Sequence, residues 1–313
     1  MKSFNSISKN WFSGLLAILL GLCSISAAHA QIFVTNYLNG TVGEYNTDGT
    51  TVNASLLSGL DNPFGIAMVG SNLFVSNFND GTNGTITEYN LATGSTSTFA
   101  SGISHLNGIV ASGSELFVPN LGTGTIVEYN TTTGASSTLV SGLSTPYNIA
   151  VSVSGTDLFY TDHSDSAISE YDIATGTLTS LPVSGLNYPF DIAASGSDLF
   201  ITNGDSNNSV LEYNLSTGST TTLFTSTISL YGIAVSGSNL LVATNDNTIL
   251  EYNLISGHTS TLISSEQGLN GPNDIVVDVQ GVPEPSTWAL MLGGLGALIY
   301  WRISTRRALE RNK

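Results

Sequence analysis

Residues 65–94 read GIAMVGSNLFVSNFNDGTNGTITEYNLATG, and this stretch decides the fold because it recurs along the chain. It holds an apolar run (Gly65 to Val69), a Gly70 turn, a second run ending in Asn77, and a third ending in Glu88-Tyr89-Asn90. A Gly94 turn then leads into a Ser/Thr-rich fourth run. The isoleucine of the first run reappears at Ile66, Ile109, Ile149, Ile192, Ile233 and Ile275, with spacings of 43, 40, 43, 41 and 42 residues. The Glu-Tyr pair follows the same beat at Glu44-Tyr45, Glu88-Tyr89, Glu128-Tyr129, Glu170-Tyr171, Glu212-Tyr213 and Glu251-Tyr252.

Four short runs rich in β-branched and aromatic residues, bounded by Gly, Asn, Ser and Thr, read as four strands. Four strands at a period near 42 describe one blade of a β-propeller, so six copies predict an all-β, six-bladed propeller over residues 31–281. The ends of the repeat predict closure. Ile32-Phe33-Val34 opens the domain with a second-type strand, and Asp274 to Val277 supplies the missing inner strand of that first blade. Asn or Asp before each Gly94-type turn caps a tight hairpin in which Gly takes the left-handed position. Those tight turns share one face of the propeller, so a localised function belongs on the opposite face, where the loops vary.

Outside the repeat lie all seven basic residues: Lys2 and Lys9 at one end, Arg302, Arg306, Arg307, Arg311 and Lys313 at the other. Of the 23 acidic residues only Glu284 and Glu310 lie outside it, so residues 31–281 carry a formal charge near −21. Nucleic acid is excluded as a partner, because no cation is present to neutralise a phosphate. Anionic lipids and uronic or sulfated polymers are disfavoured for the same reason. The single cysteine, Cys23, precedes the repeat, so the domain has neither disulfide nor thiol chemistry.

Residues 1–30 read as a secretory signal peptide: Lys2 and Lys9, an apolar run from Trp11 to Ile25, and Ala28-His29-Ala30 before a cut at Ala30/Gln31. Residues 282–313 begin Val282-Pro283-Glu284-Pro285, continue through an apolar stretch from Trp288 to Trp301 and end in arginines. The basic end predicts a cytoplasmic C-terminus and an outward-facing domain, with this helix the only membrane contact. The three-part tail resembles the PEP-CTERM sorting signal. That resemblance implies a Gram-negative host, an exosortase-type sorting enzyme as partner, removal of the tail after about Pro285 and delivery to the cell surface or matrix. The repeat itself resembles NHL-type, gluconolactonase-like and streptogramin-lyase-like propellers, through scaffold residues alone.

Candidate site residues gather around the inner strands. Asp191, Asp274 and Asn148 precede inner-strand isoleucines and face the central channel. Oxygen ligands there suit calcium, and the gluconolactonase-like resemblance implies a metal at that end. His105 and His163 stand on the variable face as an acid–base possibility. Phe64, Tyr147, Phe190 and Tyr231, with Asn107 and Asn273 nearby, make either a carbohydrate platform or a set of plugs between blades. The Glu-Tyr pairs and the strand-ending series Asn36, Asn77, Asn120, Asp162 and Asn203 read as scaffold. The sequence thus supports an exported binding or structural protein for a neutral glycan or matrix partner. A metal-dependent lactonase or lyase on the same face is the alternative.

Overall fold

The computed structural model describes residues 30–204 and 208–278. The expected signal peptide, Pro283, Glu284, Pro285 and the apolar tail lie outside the described residues, while Gln31 opens the first strand. Among the described residues no helix is long and apolar enough to cross a membrane.

Six four-stranded antiparallel sheets make the unit. Blade 1 holds β1 (Gln31–Asn36), β2 (Thr41–Asn46) and β3 (Thr51–Ser58); blade 2 holds β4 (Pro63–Val69), β5 (Asn72–Asn77), β6 (Gly84–Asn90) and β7 (Thr96–Ile103). Blade 3 comprises β8 (Val110–Ser112), β9 (Glu115–Asn120), β10 (Thr125–Asn130) and β11 (Ser136–Ser141). Blade 4 comprises β12 (Pro146–Val151), β13 (Asp157–Asp162), β14 (Ala167–Asp172) and β15 (Thr177–Leu181). Blade 5 follows with β16 (Pro189–Ser195), β17 (Asp198–Asn203), β18 (Ser209–Asn214) and β19 (Ser219–Thr225). Blade 6 has β20 (Leu230–Ser236), β21 (Asn239–Thr244), β22 (Ile249–Asn253) and β23 (Thr259–Ile263), and β24 (Pro272–Asp278) returns to blade 1.

Closure is as the repeat predicts. β24 pairs antiparallel with β1, matching Ile32 to Val277, Phe33 to Val276 and Val34 to Ile275. One blade is therefore built from both ends of the unit, which leaves no free inner edge. The apolar residues of the repeat fill the gaps between blades. In one such cluster Ile32, Val34 and Tyr45 of blade 1 meet Leu241, Ile249 and Ile263 of blade 6. The Glu-Tyr pair belongs to this scaffold. Tyr45 is fully buried and Tyr171 donates its hydroxyl to Leu139 O of the preceding blade. Glu88 and Glu251 accept from Asn72 and Asn239 on the neighbouring second strands. The tight turns hold glycine at positive φ, 70° at Gly94, and Gly94 N–H bonds back to Asn90 O at 2.8 Å.

Four second strands carry a hydroxyl just before their last residue, and each ties two blades together. Thr35 accepts from Asp274 N–H and donates to Phe64 O of the next blade, at 2.9 and 2.8 Å. Ser76 accepts from Gly65 N–H and donates to Asn107 O. Thr161 joins Asn148 N–H to Phe190 O, and Thr202 joins Asp191 N–H to Tyr231 O, the last at 2.6 Å. Blades 3 and 6 have Pro119 and Ala243 instead, and there glycine lets the backbones meet directly. Gly108 N–H donates to Tyr147 O at 3.1 Å, and a Cβ on Gly232 would lie 2.4 Å from Asn273 O.

Candidate functional site

These staples hold six residues in one ring. Phe64, Asn107, Tyr147, Phe190, Tyr231 and Asn273 each stand two positions before an inner-strand isoleucine, one per blade. The carbonyl of each meets a hydroxyl or a glycine of the preceding blade, so the backbone under the ring is fixed around the whole circle. The rings of the four aromatic members interlock edge to face. Phe64–Tyr147 centroids are 5.6 Å apart at 83°, Tyr147–Phe190 6.0 Å at 70°, and Phe190–Tyr231 5.4 Å at 86°. Such arrangements set the positive edge of one ring against the negative face of the next.

This ring is a floor. Beneath it runs the central channel, a cavity of about 300 Å³ lined by the inner strands of all six blades. At the floor itself the remaining gap is only about 10 Å³. Above it opens a cup of about 490 Å³ on the variable-loop face. The cup wall comes from residues that directly follow second strands: Tyr37, Phe78, Leu121 and Asn245. His105, Leu38 and the Gly271–Pro272 turn complete it. Among the described residues no Asp, Glu, Lys or Arg lines the cup, although acidic residues are spread through the rest of the unit.

Asn107 is the polar group built into this floor. It is only 2% exposed, yet it lines the cup. Its backbone carbonyl accepts from Ser76, while among the described residues no hydrogen bond reaches its side-chain amide. Its amide atoms are not among the buried unpaired ones, which are Asn77 Oδ1 and Asn79 Oδ1, so the amide is open to the cup. Asn273, half-buried, stands in the same ring on the far side of Phe64, while Tyr231 of blade 6 faces Asn107 across it.

His163 and His105 occupy different parts of the face. His163 stacks under Tyr147, with centroids 4.7 Å apart at 22°, and packs on Phe190 and Tyr188. Its Nδ1 contacts Pro189 O at 3.1 Å; a carbonyl only accepts, so Nδ1 carries the proton. His105 lines the cup, exposed, with positive φ of 51° and Nδ1 3.0 Å from Ser104 Oγ. Asp162, the neighbouring carboxylate considered from sequence, turns instead to Thr145 and to the Asp165 amide. His105 thus belongs to the cup wall, while His163 packs among aromatic rings outside it, each with its Nδ1 engaged locally.

Asp191, Asp274 and Asn148 are brought into the channel wall beneath the floor rather than into the cup. Asp191 accepts from Ile192 N–H and, in the next blade, from Ile233 N–H, each at 2.7 Å. Asp274 does the same with Ile275 (2.7 Å) and Ile66 (2.9 Å). Asn148 Oδ1 accepts from Ile149 N–H at 2.9 Å. Burial raises both carboxyls, Asp274 to about 7 and Asp191 well above the usual range, where the nearby Asp274 adds to the effect. The N–H donors pull the other way, and burial wins. Among the described residues no three His, Cys, Asp or Glu side chains are grouped so as to hold a metal. Burial also raises the Tyr147 hydroxyl, reinforced by Tyr231, Tyr37 and Asp191, so Tyr147 stays a neutral donor.

Sequence reasoning placed the four aromatics and the two floor asparagines on this face. It missed the wall, Tyr37, Phe78, Leu121 and Asn245, whose signal is position: each directly follows the last residue of a second strand. It also missed the hydroxyl staples.

Comparison with known proteins addresses the two parts of the chain separately. Residues 281–307 match the family model of the PEP-CTERM protein-sorting motif. The chain therefore carries an exosortase-type sorting signal and is an exported, envelope-surface protein. No curated protein matches it. Among solved structures, one described as "Crystal structure of Nidogen/Laminin Complex" superposes with a TM-score of 0.70. It is 14% identical and covers 80% of this chain and 98% of its own, a likeness of fold.

Proposed function

We propose that this protein is a surface-delivered binding module whose cup takes the end of a neutral carbohydrate chain. One observation carries the reading: a cup of about 490 Å³ floored by four interlocked aromatic rings and two asparagines, with no carboxylate among the described residues that line it, in a unit otherwise strongly acidic. The volume lies in the roughly 300–1,000 Å³ range of small-molecule sites. Ring faces suit the C–H faces of a sugar, and the Asn107 amide, which lines the cup, offers a donor and an acceptor to hydroxyls. An anionic sugar would meet the domain's own negative field without any cation to receive it. The sorting motif supports the setting: a Gram-negative envelope, with the precursor's C-terminus cytoplasmic and the propeller outside. There the module would hold matrix or surface glycan.

A panel of neutral and uronic oligosaccharides, probed with the exported protein, tests this. Neutral sugars are expected to bind, Tyr231→Ala and Asn107→Ala to weaken them at least about tenfold, and uronic sugars to fail. Binding of uronic sugars alone, or equal binding by wild type and Tyr231→Ala, would overturn the assignment.

A further inference from the structure

We propose that blade 2 binds a calcium ion between its β3–β4 and β5–β6 loops, through the side-chain oxygens of Asn77 and Asn79, with the Asp61 and Asp80 carboxylates balancing its charge. Among the described residues Asn77 Oδ1 and Asn79 Oδ1 are the buried side-chain atoms that have no hydrogen-bond partner. They fall two positions apart in one stretch of chain, and Asn77 is only 2% exposed. Both amide nitrogens are committed as donors, Asn77 to Thr87 Oγ1 at 2.9 Å and Asn79 to Asn83 O at 3.0 Å. What remains is a pair of acceptors with nothing to accept, which native interiors rarely tolerate.

The repeat shows where Asn77 aims. The residue that ends a second strand accepts a backbone N–H from the loop entering the same blade's inner strand. Asn36 accepts from Asn270 at 3.0 Å, Asp162 from Thr145 at 3.3 Å and Asn203 from Asn187 at 2.6 Å. Blade 2 keeps that loop in place, because Phe78 N–H donates to Asn62 O and Asn79 N–H to Asp61 O. Blade 1 has the same two bonds, from Tyr37 to Gly271 and from Leu38 to Asn270, so Asp61 stands where Asn270 does. No N–H of this loop reaches Asn77. Its oxygen thus faces the stretch that carries Asp61, while Asp80 follows Asn79 directly, and both carboxylate residues are exposed.

The donor set selects the ion. A water could serve the two oxygens but would leave Asp61 and Asp80 uncompensated in a domain without Lys or Arg. Calcium serves both needs, taking amide, carboxylate, backbone and water oxygens at about 2.3–2.6 Å in a flexible shell, where magnesium demands a strict octahedron. That distance is shorter than an O–H···O bond of about 2.7–2.8 Å, so the ion fits between oxygens that solvent does not reach. The domain's negative field also draws cations to it. Only two of the four ligands are acids, in keeping with the lack of a three-acid cluster among the described residues. The site backs the cup wall: Phe78 lies between the two asparagines, its ring meets His105 edge to face at 6.0 Å, and Gly81 O accepts from His105 N–H at 2.9 Å. Calcium thus steadies that side of the wall, whatever the cup holds.

Calorimetric titration of calcium chloride into the metal-stripped exported protein tests this. One site with a Kd of about 0.1–1 mM, the range of extracellular calcium modules, is expected, with magnesium at least about tenfold weaker. Tm should rise as calcium passes that Kd. Asn79→Ala and Asp61→Asn should each weaken calcium at least about tenfold, whereas Asn79→Asp, which adds a ligand charge, should tighten it. Asp165→Asn removes the same charge from the corresponding loop of blade 4 and should leave Kd within about twofold. A Tm indifferent to calcium, a Kd unchanged by Asn79→Ala, Asp61→Asn and Asn79→Asp alike, or binding lost in Asp274→Asn but kept in Asp61→Asn would overturn the proposal.

Discussion

Thr202→Val tests how the cup floor is held. Thr202 is fully buried, accepts from Asp191 N–H at 3.0 Å and donates to Tyr231 O at 2.6 Å. Valine keeps the β-branched shape and strand preference but replaces the hydroxyl with a methyl, so two buried backbone groups in two blades lose their partner together. Each unsatisfied group costs about 1–3 kcal/mol, which makes about 4 kcal/mol a central figure for the pair. In a unit of this size a loss of 1 kcal/mol lowers Tm by about 2–4 °C, so calorimetry should find a drop of about 8–16 °C. Thr202→Ser keeps the hydroxyl and should recover most of it. Sugar affinity should fall in Thr202→Val as well, because Tyr231 loses the bond that places its backbone. A Tm within about 1 °C of wild type, or equal losses for Val and Ser, would refute the staple reasoning.

Three other predictions rest on different parts of the structure. Ending the chain after Gly271 removes β24, its ladder with β1 and the Asp274 bridge to Ile66; roughly five hydrogen bonds and a buried Ile275 amount to about 8 kcal/mol, comparable with the whole stability of many domains. All six blades should then unfold in one broad, low transition, and an unchanged Tm would show that the ring does not depend on this strand. For Asp274, whose folded value of about 7 stands above its ordinary 3.8, the native state binds the extra proton. Its stabilising effect is complete below about pH 4 and is lost as pH rises to about 7. Asp274→Asn should flatten that part of the stability–pH curve, and an unaltered slope would count against the raised carboxyl. Finally, intact-mass analysis of the surface form should find the chain ending near Pro285, whereas a species retaining Lys313 would contradict processing of the sorting signal.

The repeat made the fold legible because a propeller states its blade six times, and Ile66 to Ile275 mark the inner strand of each. Closure by β24 was legible for the same reason, since an unpaired inner strand at one end matched a missing one at the other. The floor aromatics were visible because they precede the isoleucines at constant spacing. The polar partners were not. Thr35, Ser76, Thr161 and Thr202 bond to backbone atoms roughly a blade away, and a hydroxyl in a β-strand looks like ordinary alternation. For Asp191 and Asp274 the sequence shows the carboxylate at the channel but not the N–H groups of Ile233 and Ile66 that engage it.

The domain contains no tryptophan, since Trp11, Trp288 and Trp301 all lie outside it, so its emission comes from tyrosine, and Tyr37, Tyr147 and Tyr231 are the ones that line the cup. Titrating neutral oligosaccharides into the exported protein while following tyrosine emission should give saturable binding with Kd between about 10 µM and about 1 mM. The signal should vanish when Tyr37, Tyr147 and Tyr231 are all replaced by phenylalanine, while calorimetry still detects the sugar on the intact ring faces. Calorimetry that finds no neutral sugar bound, or binding that survives replacement of Phe64, Phe190 and Tyr231 by alanine in a protein that remains folded, would contradict the cup as the site of function.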